Sequence, residues 1–218
     1  MVAREQFEVE LKNIETTIIE LAKEAGQALE DAVHALFTQD LELANKIIER
    51  DEVLDKKELQ INEEAILLIA KEQPVARDLR RLIVAIKISS DLERMGDNAT
   101  NIAKATLHLG KHDLVVHSSL KDMKDIAIKM IDLSTKAFEM QDITLARKLS
   151  EMDDLVDSMY GDVVREMLEQ TATNPQKIQH VMQMAFSARF IERFADHTTN
   201  IGESILYLVK GESFDLNQ

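Results

Sequence analysis

The sequence contains no cysteine and no tryptophan, only two prolines and six glycines, and aromatic residues make up 4% of it. Without cysteine there are no disulfides, thiolate nucleophiles or thiolate metal sites, so any metal must be held by oxygen and imidazole. So few helix breakers, in a chain rich in Ala, Leu, Glu, Lys, Met and Ile, make long helices the favoured local structure. The scarcity of aromatics calls for an aliphatic core with methionine filling gaps, which suits bundles better than sandwiches. Excess positive charge is missing too. A formal net charge of −14 repels nucleic-acid phosphates, and no run of Lys and Arg interleaved with aromatics offers a stacking groove, so direct nucleic-acid binding is not expected. No uninterrupted apolar stretch reaches about 18 residues, and Met1 to Gln6 is charged and amphipathic with no apolar signal core. A cytoplasmic protein without membrane insertion is the expectation.

What is present is helical periodicity with sparse punctuation. Apolar residues at helical spacing run from about Phe7 to Phe37, Leu41 to Ala70 and Val75 to Leu109, then over about 119–140, 142–171 and 175–210. Pro74 and Pro175 suit helix first turns, Gly110 and Gly211 suit helix ends, and Ser119 with Asp122 has the spacing of a capping box. The basic cluster Arg77, Arg80 and Arg81, with Asp78 among it, reads as a salt-bridged helix start.

The second trio of helices repeats the first. Gln39-Asp40, Ala44, Lys46, Asp51 and Asp55 recur 102 positions later as Gln141-Asp142, Ala146, Lys148, Asp153 and Asp157. The segments Asp91 to Ile102 and Phe190 to Ile201 are identical at six of twelve aligned positions. Internal duplication follows, and with it an all-α fold of two tandem three-helix bundles, residues 1–110 and 118–212, placed side by side or end to end.

A heptad seam along the third helix runs Leu79, Leu82, Ile86, Ser89, Glu93, Gly96, Thr100, Ala103, Leu107, with a glutamate where a core residue belongs. The sixth helix has Glu192 at the same seam position, again flanked by small residues, Ala188 and Ala195. In the second and fifth helices the seam acids are Asp51 and Asp153. Each of these acids has another four residues on, giving the pairs Asp51/Asp55, Glu93/Asp97, Asp153/Asp157 and Glu192/Asp196, each on one helix face. Such pairs repel on a helix surface by a few tenths of a kcal/mol, and burial makes an unpaired carboxylate far more costly. A hard cation held between two helices would reverse that cost. The competing reading has these acids on the rim, paired with Arg94, Arg193 or lysines. Asn101 and its repeat Asn200 lie one turn further along and would serve either as carbonyl ligands or as helix–helix polar contacts. His197, where the first copy has Asn98, is either an added imidazole ligand or a structural residue.

No Walker loop, dinucleotide fingerprint, GxSxG or HExxH occurs, so the usual supports of phosphoryl, hydride and metalloprotease chemistry are lacking and no enzyme is expected. A carboxylate-bridged di-iron oxidase or iron-storage bundle is the alternative, although no Glu-x-x-His, the usual ligand pair of such bundles, is present.

Glu72-Gln-Pro-Val-Ala-Arg-Asp-Leu-Arg80 resembles the QPxAxDLR stretch of the PhoU phosphate-uptake regulators, and Asp91-Leu-Glu-Arg-Met-Gly-Asp97 resembles their DLERIGD. The resemblance covers nearly the whole chain. It implies a negative regulator of the phosphate-starvation response that links the Pst transporter, through its ATPase subunit, to a PhoR-type histidine kinase, with no turnover of its own and with homodimers common. It also implies multinuclear iron, or zinc, manganese or magnesium, on Asp51, Asp55, Glu93, Asp97, Asp153, Asp157, Glu192 and Asp196. The sixth-helix copy departs from the pattern at Phe190, Phe194, Ala195 and His197, and Thr173-Asn-Pro175 stands where the Gln-Pro stretch would be.

Overall fold

The computed structural model describes residues 2–110, 115–173 and 178–216. It consists of α1 (Val2–Thr38), α2 (Leu41–Glu72), α3 (Ala76–Leu109), α4 (Ser119–Met140), α5 (Ile143–Thr173) and α6 (Ile178–Lys210). Strands are absent among the described residues.

The apolar stripe dictates how the helices meet. In α1, Phe7, Leu11, Ile14, Ile18, Leu21, Ala25, Leu29, Ala32 and Leu36 recur at steps of three and four and are all buried. They face α2 and α3, while Leu120, Met123, Ala127, Met130 and Ala137 of α4 face α5 and α6. The two bundles lie side by side, joined where α3 packs along α6 and α1 against α4, and share one continuous aliphatic core. The central helices α3 and α6 bury several faces, which is why their sequences are rich in Ala, Ser, Thr and Gly. A Cβ at Gly96 would stand 2.6 Å from Leu54 Cδ1 of α2, and one at Gly202 would stand 2.9 Å from Leu149 Cδ1 of α5. These glycines let the acid-bearing helices approach closely.

The repeated Gln-Asp step is a turn unit. Gln39 and Gln141 sit in the left-handed region at φ 53° and 50°, ending α1 and α4. The aspartate that follows caps the next helix, Asp40 Oδ1 accepting from Leu43 N at 2.9 Å and Asp142 Oδ1 from Thr144 N at 2.7 Å.

Two punctuation signals act differently from the sequence expectation. Pro74 is outside the helix: Gln73 ends α2 in the left-handed conformation, Val75 is the extended N-cap of α3, and the first helical residue is Ala76. Ser119 makes no capping box. The N-cap of α4 is Ser118, which has no side-chain cap bond, and the Ser119 N–H donates instead to His117 Nδ1 at 3.3 Å. The helix start expected at Pro175 lies outside the described residues. Of the basic cluster, Arg81 pairs with Glu15 at 2.8 Å and Glu8 at 3.0 Å, as a salt-bridged helix start requires, whereas Arg77 donates to Gln141 Oε1 at 2.6 Å.

Candidate metal centre

The seam acids lie where the heptad places them, on the faces by which α2 meets α3 and α5 meets α6. Each i, i+4 pair puts one carboxylate into the seam and one nearer its edge. In the first bundle Asp51 and Glu93 are half-buried while Asp55 and Asp97 are exposed. In the second, Asp153 and Glu192 are buried, at 5% and 6% exposure, with Asp196 half-buried and Asp157 exposed. Asp157, Glu192 and Asp196 each bring an oxygen within 4.8 Å of the others. Among the described residues this is the cluster compact enough to share one ion, and its donors are all carboxylates.

Electrostatics agree with burial. Desolvation pushes the Asp153 carboxyl up to about 7, aided by the charges of Asp196, Asp157 and Glu192. Glu192 is likewise pushed up to about 7 by burial and then by Asp196, against the opposing pull of Arg189. Burial also raises Asp157 and Asp196. In the first bundle Asp51 and Glu93 are raised by burial and by Asp97 and Asp55, with a Thr100 hydrogen bond opposing the shift at Asp51.

Ion pairing does not resolve this repulsion. Lysines and arginines pair with many other acids of the chain, among them Glu24, Asp31 and Glu52. Among the described residues the only ion pair to any of the eight seam acids is Arg189 with Glu192, and neither Arg94 nor Arg193 supplies one. Asp153 Oδ1 and Glu192 Oε2 are buried with no hydrogen-bond partner. Two orphaned anionic oxygens among oxygen donors suit a hard cation and leave a neutral ligand without purpose. The residues present therefore fit a carboxylate-held metal, and among the described residues the compact donor set is that of the second bundle.

Of the amide and imidazole candidates, His197 and Asn200 are engaged elsewhere. His197 Nδ1 lies 3.0 Å from Asp91 Oδ1, and Asn200 Nδ2 donates to the same oxygen at 3.2 Å, so both stitch α6 to α3. Asn98 donates to the Arg94 carbonyl at 2.9 Å. Sequence reasoning missed Asp91, because its role depends on the antiparallel register of α3 and α6. Arg189 was findable, since it lies three residues before Glu192 on one helix face.

A duplicated three-helix bundle with acid pairs on its seam helices defines a class of all-helical tandem-repeat proteins with carboxylate sites. The PhoU domain family model matches twice, over residues 18–106 and 120–205. Across 218 residues the chain is 34% identical to the phosphate-specific transport system accessory protein PhoU homolog of Clostridium acetobutylicum, covering 98% of this chain and 99% of that protein. It is 35% identical over 210 residues to the phosphate-specific transport system accessory protein PhoU of Escherichia coli K12, covering 96% of this chain and 87% of that one. The crystal structure of the phosphate transport system regulatory protein PhoU from Streptococcus pneumoniae superposes with a TM-score of 0.91 at 30% identity, covering 96% of this chain and 99% of that chain. The chain belongs to the PhoU family.

Proposed function

We propose that this protein is an accessory regulator of phosphate transport: a negative regulator of the phosphate-starvation response, acting in the cytoplasm as a homodimeric adaptor between the ATPase subunit of a Pst transporter and a PhoR-type histidine kinase. The observation that carries the reading is the match to the PhoU domain in both halves of the chain. Relatives named as accessory or regulatory proteins of phosphate transport support it. Among the described residues no helix is long and apolar enough to cross a membrane, so attachment to a transporter would run through protein contacts.

The metal reading belongs to the same proposal. Asp51, Asp55, Glu93 and Asp97 would hold cations in the first bundle and Asp153, Asp157, Glu192 and Asp196 in the second, with iron first and zinc, manganese or magnesium as alternatives. A bound hard cation supplies the positive charge that keeps these carboxylates ionised at neutral pH. The chain's own part is to hold α2 against α3 and α5 against α6 so that the acids converge, with Gly96 and Gly202 setting the approach. The iron-oxidase alternative gains no support, because His197, the imidazole nearest the acids in sequence, is turned to Asp91.

Deleting the gene is expected to switch on phosphate-starvation genes in phosphate-rich medium, read with a reporter fused to such a promoter, and the intact gene should restore repression. Unchanged reporter expression in the deletion strain would contradict the regulatory role.

A further inference from the structure

The repeat that makes the two acid sets alike fails at two positions beside them. Aligning Glu93 with Glu192 puts Ser90 opposite Arg189, and the 102-residue spacing puts Glu58 opposite Tyr160. In the second bundle Arg189 donates through Nη1 to Glu192 Oε1, and its guanidinium carbon lies 5.7 Å from the centroid of the Tyr160 ring. The first bundle has neither partner. There Glu58 accepts from Asn62 Nδ2 at 2.5 Å, and Asn62 Oδ1 in turn accepts from the Ser89 hydroxyl at 3.2 Å. One site carries its own guanidinium, and the other carries an additional acid.

We infer that Arg189 is an internal counter-cation of the second site, holding Glu192 in the absence of metal and competing with a divalent cation for that carboxylate. This rests on the reading of the seam acids as cation sites. The competition follows from how the two side chains are placed. Glu192 is 8% exposed at its side chain and cannot turn to water, whereas Arg189 is 45% exposed and can. Of the two carboxylate oxygens, Oε1 is taken by the guanidinium and Oε2 is buried without a partner. A cation that uses both oxygens competes with the guanidinium for the lone pairs of Oε1 and is repelled by its like charge, and the face of Tyr160 gives the guanidinium a reason to stay. At the first site Ser90 offers no competing charge. The two sites therefore differ in affinity by design of the sequence, and the second fills at the higher free-cation concentration.

The test is calorimetric titration of the chelator-treated full chain with Mn²⁺ alone, paired with a thermal melt of the metal-free protein. The wild type should show two classes of site, and Asp153→Asn with Glu192→Gln should remove the weaker. Arg189→Ser should tighten that class by about tenfold, the factor that one charge-assisted hydrogen bond commonly represents, and should lower the metal-free melting temperature. Arg189→Gln, which keeps length and polarity, should do the same. In the converse direction, Ser90→Arg should weaken the tighter class. Unchanged or weaker binding at the second class in both Arg189 variants would overturn the inference while leaving the cation sites in place. Equal numbers of bound Mn²⁺ in the wild type and the Asp153→Asn/Glu192→Gln protein would instead remove the cation-site reading on which it rests.

Discussion

Asp153→Asn combined with Glu192→Gln is expected to stabilise the metal-free protein by about 2–4 kcal/mol near pH 8, and to leave the second bundle without the stabilisation that a divalent cation would give it under the proposed reading. Both carboxyls are nearly fully buried, each has an oxygen without a hydrogen-bond partner, and both are pushed up to about 7. Above that pH each must be ionised in a place that disfavours charge, beside Asp157 and Asp196. The amides keep size and shape and remove the charge. Because one pKa unit corresponds to about 1.4 kcal/mol, displacements from 3.8 and 4.5 to about 7 leave room for an effect of this size even when the two groups share one another's field. For a chain of this length the gain would appear as a rise in melting temperature of roughly 5–15 °C. A fall in melting temperature would mean that the pairing of Glu192 with Arg189 outweighs the cost of burying the two charges.

The second large effect is the dependence of stability on pH, whose sign is opposite to that of ordinary ion-paired carboxylates. Asp153 and Glu192 have folded values near 7 against ordinary values of 3.8 and 4.5. Between those limits the folded state binds more protons than the unfolded state, so stability falls as pH rises. Their contribution is fully present below about pH 4 and is lost as pH climbs through 7. Asp157, Asp196, Asp51 and Glu93, also raised by burial, add to the same slope. In urea titrations the chelator-treated protein is expected to be more stable by a few kcal/mol near pH 5 than near pH 8. Saturating divalent cation should flatten or reverse the trend, because a bound cation favours deprotonated ligands. Equal stability at both pH values without metal would contradict the burial-driven shifts.

Much of this architecture is legible in the sequence, and the reason is periodicity. The seam residues Leu82, Ser89, Gly96, Thr100 and Ala103 of α3, and Val181, Ala188, Ala195, Thr199 and Gly202 of α6, are all buried. The acids stand out because they occupy positions where the heptad demands an apolar side chain. The duplication doubled the signal, since one acid on a helix is common and a repeated one is not. Local punctuation was harder to read. Pro74 reads as a helix first turn, yet Gln73 in the left-handed conformation and Val75 in the extended one place it in the joint between helices. Ser119 and Asp122 have the spacing of a capping box, but Ser118 is the N-cap and His117 takes the Ser119 N–H.

What one helix at a time cannot show is which helix its polar residues meet. Asp91 reads as part of the acid-rich motif of α3, and only the antiparallel packing of α6 brings His197 and Asn200 onto it. The same limit hides how the two acid sets differ. The departures of the second copy at Phe190, Phe194, Ala195 and His197 already mark the sites as unlike, but only the packing shows that burial is deeper at Asp153 and Glu192 than at Asp51 and Glu93 and that the second set alone carries an arginine. Duplication copied the seam, and the residues around it diverged.

The most direct measurement is elemental analysis of the protein purified without chelator, beside a variant in which Glu93, Asp97, Glu192 and Asp196 are all alanine. Several bound metal equivalents in the parent and a marked loss in the variant are the predicted result. No metal above background in the parent, even after incubation with iron, zinc, manganese or magnesium, would contradict the assignment of the acidic seams as metal sites.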